Sequence, residues 1–230
     1  MIGGSNPFAT RFTQPGRLVS VDAEGRPIDL VALVMRLDRL GTAAALLGPH
    51  GSGKSTLMVN LHEVAVGMGR SAICIRLRSP WDAVRALVAT MGMSRNGLVF
   101  LDGWECVGPV VRWALRASAR ARGCRLIVTC HDARWLPVLA RCRPTMAVLE
   151  AIVRQLSDVA PWLGTEVTAM DLQTAFDRHG GNVREALFEL YDRVEERRDR
   201  LEAHRSPSDR SPVVRSCRPY RFCRAESGNS

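Results

Sequence analysis

Apolar and polar positions divide the chain into three kinds of stretch. Between residues 29 and 150, short apolar runs alternate with segments of three-to-four apolar spacing. The first helical segment is 29–40, where Leu30, Leu33, Val34 and Leu37 recur at that spacing. An apolar run at 43–47 predicts a strand, and a helix is expected from Lys54 to about Gly67. Strands at 72–77, 97–101 and 125–130 then alternate with helices at 81–91, 110–121 and 134–140, and a last weak strand is read at 146–149. Near-continuous apolar strands in such alternation imply a parallel sheet covered on both faces. The expectation is therefore an α/β fold with a five-stranded parallel sheet sandwiched by helices.

Beyond residue 150 only the helical period remains, at 151–163, 170–178 and 182–202. Gly180-Gly181 reads as a helix stop and Asn182 as an N-cap. Leu187, Leu190 and Val194, with Ala186 and Tyr191, form one apolar face, the core of a small C-terminal helical lid. Asp192 onward to Arg200 is a mixed-charge, solvated face. The organisation read from the sequence is an irregular arm at 1–28, a nucleotide-binding α/β domain at 29–150, a helical lid at 151–202 and a disordered basic tail at 203–230.

Composition changes this picture little. Apolar residues make up 46% of the 230 positions and charged residues 24%, a globular balance. The formal charge of +9 is almost all arginine: Lys54 is the only lysine, against 31 arginines. So general a skew argues for a GC-rich coding sequence rather than for nucleic-acid binding. It also singles out Lys54, because a compact ammonium fits between phosphates where a planar guanidinium fits poorly. The seven cysteines are odd in number and contain no Cys-x-x-Cys pair, which argues against a disulfide framework and a zinc ribbon. Cys74, Cys106, Cys124 and Cys130 lie in or beside apolar segments and are expected as buried thiols. Neither a signal-peptide profile nor an apolar run of about 18 residues occurs, so a cytoplasmic protein without membrane contact is expected.

The strongest chemical signal is Gly48-Pro49-His50-Gly51-Ser52-Gly53-Lys54-Ser55, which fits G-x-x-x-x-G-K-[ST] between an apolar strand and an amphipathic helix. The glycines let backbone N–H groups converge on phosphate oxygens, and the helix that follows adds the positive end of its dipole. Lys54 would reach the β- and γ-phosphates, Ser55 would ligate Mg²⁺, and Thr56 completes the nucleotide-binding stretch. His50 reads as an exposed filler. The strand Leu98-Val99-Phe100-Leu101 ends in Asp102, the form of an acid that holds Mg²⁺ behind a phosphate loop. An Asn-Lys-x-Asp guanine-reading motif is impossible with Lys54 as the only lysine, which favours ATP over GTP.

Phosphate loop, Asp-ending strand, polar-ended next strand and helical C-terminal piece together resemble P-loop NTPases of the AAA+ and STAND groups, over about residues 40–200. The resemblance implies an Asp-ending strand beside the phosphate-loop strand, though not next to it in sequence. It also implies a glutamate directly after the aspartate to polarise water. Gly103 stands there instead, and Glu105, in Asp-Gly-Trp-Glu, becomes the candidate base; this spacing is similar to a shortened Asp-Gly-x-Asp-Glu of some STAND proteins. Thr129, or failing it His131, matches the strand-end "sensor 1" position facing the γ-phosphate. Gly181-Asn182-Val183-Arg184 is similar to the "sensor 2" Gly-x-x-Arg of the AAA+ lid, so that Arg184 would reach the γ-phosphate. Arg141 and Arg143 fall near the end of the helix before the last strand, where ring-forming members supply an arginine to a neighbouring subunit.

What the resemblance implies is an ATPase that uses ATP and Mg²⁺ to drive or time a conformational switch. A nucleotide-binding scaffold with little hydrolysis is the alternative that Gly103 favours, and a small-molecule phosphotransferase is the second. No Leu-Ser-Gly-Gly signature of ABC transporter subunits is present. Phe8 or Phe12 could stack on a base, though a packed N-terminal arm is the simpler role. Self-association or an unknown protein partner fits the family, and the tail arginines could hold nucleic acid or an acidic partner by charge alone.

Overall fold

The computed structural model describes residue 8 and residues 17–132, 136–161 and 163–203. Phe12, the basic tail beyond 203, Cys217 and Cys223 lie outside the described residues. Five parallel strands form one sheet: β1 (Ala43–Leu47), β2 (Ala72–Arg76), β3 (Leu98–Asp102), β4 (Arg125–Cys130) and β5 (Val138–Arg141), in the order β2-β3-β4-β1-β5. Their apolar runs are continuous because the central strands are buried on both faces; Ala45, Phe100, Leu126 and Ile127 have no exposed surface.

One face is covered by α1 (Leu30–Leu37) and α2 (Lys54–Gly67), the other by α3 (Pro80–Gly92) and α4 (Pro109–Arg122). Local chemistry sets these helix ends. The Asp29 side chain accepts from the Ala32 N–H to start α1, Ser79 and Asp82 form a reciprocal capping box ahead of α3, and Gly123 closes α4 in the left-handed region. The remaining helices are α5 (Met146–Val159), α6 (Leu163–Glu166), α7 (Ala169–Arg178) and α8 (Val183–Ala203). They enclose a second core of Leu149, Leu163, Ala175, Ala186, Leu190 and Val194. Phe8 is packed into that core, so the arm role is the one it serves.

Residues 17–28 tie the two parts together. Asn60 of α2 donates to the Leu18 carbonyl and the Ser20 hydroxyl. Gln155 of α5 exchanges hydrogen bonds with the Val19 backbone, and the Thr145 hydroxyl donates to the Ala23 carbonyl. No helix among the described residues is long and apolar enough to cross a membrane.

Four expectations are corrected. The fifth strand is Val138–Arg141, within the segment read as a helix, and 146–149 is the first turn of α5 rather than a strand. Pairing with β1 makes 138–141 extended, while Thr145, accepting from the Val148 N–H, starts the helix five residues before 151. Arg141 therefore ends the last strand and Arg143 follows it; neither sits on a helix before that strand. The Asp-ending strand is not beside the phosphate-loop strand, because β4 lies between β3 and β1. Cys124 and Cys130 are buried, but Cys74 is exposed on the edge strand β2 and Cys106 on a surface turn.

Candidate functional site

The loop of residues 48–53 leaves β1 and enters α2 with Gly51 (φ 73°) and Gly53 (φ 85°) in the left-handed region, Gly53 as the helix N-cap. Glycine is the residue that takes these angles without strain, and they turn the first helical N–H groups toward the loop's concavity. Gly48 is needed for a different reason: a side chain there would collide with the Cys142 carbonyl. The Ser52 hydroxyl donates to the Pro49 carbonyl (2.8 Å), which pins the loop from within.

Lys54 is folded over this loop, its Nζ donating to the Gly48 and Pro49 carbonyls at 2.7 and 2.6 Å. It is 9% exposed. Burial lowers its pKa below the ordinary lysine value, against the upward pull of Cys142, Glu105 and Asp102. The ammonium is thus held beside the loop by weak neutral acceptors that an anion can replace.

At the first turn of α2 the Ser55 hydroxyl lies 3.2 and 3.1 Å from the two carboxylate oxygens of Asp102, the last residue of β3. Thr56 follows on the same turn and is half-buried. Asp102 is held on two other sides: the Thr129 hydroxyl donates to it at 2.7 Å, and Arg76 Nε at 3.2 Å. Thr129 also accepts from the Gly103 N–H at 2.9 Å. Its hydroxyl is therefore spent on orienting Asp102 and the turn after it. One hydroxyl and one carboxylate facing each other suit Mg²⁺, which takes few protein oxygens and completes its shell with water and phosphate. No cluster of three or more His, Cys, Asp or Glu side chains able to hold a metal occurs among the described residues, which is compatible with so sparse a site.

No protein-family model matches the chain, and no curated protein matches it in sequence. Solved structures do. A proline-to-glycine variant of RuvB from Thermotoga maritima aligns over 78% of this chain and 63% of its own, with 16% identity and a TM-score of 0.53. A threonine-to-valine variant of the same protein aligns over 78% and 62%, with 19% identity and a TM-score of 0.53. The chain spans less than two-thirds of the length of these RuvB chains. The fold is that of an AAA+ P-loop NTPase.

The position after Asp102 is tightly constrained. Gly103 has φ 93°, and a Cβ there would stand 2.9 Å from the Leu77 carbonyl oxygen. A glutamate could not occupy it without moving backbone. The next acid in the chain lies on a 3₁₀ turn, Trp104–Cys106. There Glu105 is exposed and its Oε1 lies 2.9 Å from His131 Nε2. The His131 ring packs against His50 with centroids 4.0 Å apart and planes inclined by 47°. Partial burial and the Lys54 charge push the His131 pKa below the ordinary histidine value, against Glu105. At pH 7 the contact is accordingly a hydrogen bond from neutral imidazole to carboxylate.

The C-terminal helical part meets the 48–53 loop directly. Asn182 caps α8 by accepting from the Arg184 and Glu185 N–H groups at 3.1 and 3.4 Å. A side chain at Gly51 would collide with that same Asn182 oxygen, and would come within 3.3 Å of the Arg184 Cβ. Arg184 thus sits at the loop with its side chain exposed. Arg141 and Arg143 are both exposed, at and just after the end of the edge strand β5, while Asp102 ends β3 at the third position away in the sheet.

Sequence reasoning missed Arg76, the His50–His131 packing and the Asn182–Gly51 contact. Arg76 alone carried a local signal, as a cation ending a strand; its pairing with Asp102 follows from the β2–β3 register.

Proposed function

We propose that the chain binds ATP with magnesium in the 48–55 loop and hydrolyses it slowly, using the nucleotide state to set the position of the helical lid. The observation that carries this reading is the opposition of Ser55 and Asp102 beside the buried Lys54. In this reading residues 29–150 form the nucleotide domain and 151–202 the lid. Ser55 and Asp102 would hold magnesium, which supplies charge neutralisation between the terminal phosphates. Lys54 exchanges its carbonyl acceptors for β- and γ-phosphate oxygens, a stronger, charge-assisted pairing. The loop N–H groups and the start of α2 hold the remaining phosphate charge.

Glu105 is the acid available to take a proton from an attacking water, with His131 fixing its carboxylate. Thr129 positions Asp102 rather than the nucleotide. Arg184, on the helix that abuts Gly51, is the lid residue that reaches the γ-phosphate and reports its loss on hydrolysis. A second reading, nucleotide binding with almost no turnover, is favoured by the same Glu105–His131 pairing, which holds the acid away from the position directly after Asp102. Single-turnover hydrolysis with Glu105→Gln separates them. Loss of at least tenfold in rate supports the hydrolase reading, and an unchanged rate removes Glu105 as base.

A further inference from the structure

A groove of about 780 Å³ runs along α4 on the face of the sheet opposite α1 and α2. Part of its lining comes from the connection between β4 and β5. Parallel strands are ordinarily joined by a crossover of a dozen or more residues, most often a helix. Here residues 131–137 make that crossing, and Leu136 packs into the core on the α3–α4 side. Among the described residues of this connection, Asp132 and Leu136 line the groove across from α4.

The α4 side of the groove is cationic. Arg112, Arg116 and Arg120 line the groove at four-residue intervals, about 6 Å apart along the helix axis. Like charges at this spacing disfavour an isolated helix, a cost that a bound anion reverses. Arg116 and Arg120 have no side-chain hydrogen bond or ion pair among the described residues. One acid, Asp132, is on the lining. Trp113 also lines it, three residues from Arg116 and seven from Arg120, hence on their face of the helix, and is 72% exposed. A row of cations with a bare indole beside it is the combination that tracks a phosphate backbone while stacking a base.

We propose that this groove binds a single strand of nucleic acid, its phosphates on Arg116 and Arg120 and a base on Trp113. The groove borders the turn that carries Glu105, since Trp104 lines it and Asp132 on its lining follows His131. Arg112 donates to the Trp104 and Glu105 carbonyls at 3.1 and 3.3 Å, so a strand that engages Arg112 acts on the turn that carries Glu105. That link, unlike the groove itself, rests on the hydrolase reading above.

The test is fluorescence anisotropy of a labelled oligo-dT 20-mer with the full chain, at several salt concentrations. Arg116→Glu/Arg120→Glu is expected to weaken binding at least tenfold with the basic tail intact. Arg116→Gln and Arg120→Gln should each lower the slope of log affinity against log salt by about 0.7. Trp113→Ala is expected to weaken binding about tenfold. The circular dichroism spectrum and the thermal unfolding midpoint check that each variant is folded. Equal oligonucleotide affinity in the double variant overturns the proposal. So does a poly-glutamate peptide that binds as tightly as oligo-dT and is indifferent to Trp113→Ala, which would identify an acidic protein partner.

Discussion

The Ser55 hydroxyl and the Asp102 carboxylate meet at 3.1 to 3.2 Å although the residues are 47 positions apart. Two hard oxygen donors converge there from a helix N-terminus and a strand C-terminus, the arrangement a small divalent cation needs at a phosphate. Asp102→Asn keeps the size of the side chain and removes its charge. ATP binding is expected to persist in that variant while its enhancement by magnesium falls at least tenfold, measured by titration with and without the metal. An undiminished magnesium effect would mean that the metal is held elsewhere.

Gly103 makes a prediction about stability. With φ 93° and the Leu77 carbonyl 2.9 Å from where a Cβ would lie, Gly103→Ala is expected to cost about 1–3 kcal/mol in urea unfolding. Gly103→Glu, which puts an acid directly after Asp102, should be destabilised likewise and gain no turnover. A stable Gly103→Glu with faster hydrolysis would show that the later position of the acid is not a constraint of this backbone.

The Glu105–His131 contact predicts a pH profile. His131 titrates below the ordinary value of 6.5, so it stays neutral through pH 7 and gains its proton only at lower pH. Once charged it forms an ion pair with Glu105 and lowers that carboxylate's basicity. Turnover should hold from pH 8 to 7 and decline as the pH drops below 6.5, and His131→Gln should lose this decline. The same acid limb in both proteins would separate His131 from the chemistry.

In the helical part, Asp171 makes the reciprocal capping box with Thr168 and pairs with Arg193 and Arg197. Burial pushes its carboxyl up, but the Thr168 donors and Arg197 outweigh this and bring it down to about 2. A depressed carboxylate stabilises the fold above its unfolded pKa, and the gain is lost as the pH falls from about 4 toward 2. Asp171→Asn should cost about 1 kcal/mol at pH 7 after screening by solvent. The difference from wild type should shrink through pH 4 to 2 and vanish only below pH 2, as followed by unfolding at each pH; a gap that does not change between pH 7 and 2 would place the effect in packing instead.

What could be read from the sequence was local chemistry. The glycine pattern, Lys54, Asp102 at the end of an apolar strand, and Asn182 as a cap each declare themselves within a few residues, and each stands where expected. The fifth strand did not. Leu136-Pro137-Val138-Leu139-Ala140 is too short for periodicity to tell strand from helix, and its register with Ala45, Leu46 and Leu47 is a long-range fact. The same holds for Arg76 against Asp102 and for His131 against Glu105, pairs created by sheet order. Cys74 was misjudged because nothing in Ala-Ile-Cys-Ile-Arg reveals that β2 is an edge strand.

The most direct test of the account is the Lys54→Ala variant in calorimetric titration with ATP and magnesium. Lys54 donates only to carbonyls of its own loop, so its removal should leave the circular dichroism spectrum and the unfolding midpoint nearly unchanged. ATP affinity should fall by about two orders of magnitude, near 3 kcal/mol. Unchanged ATP affinity in a folded Lys54→Ala protein would contradict the claim that residues 48–55 bind the phosphates.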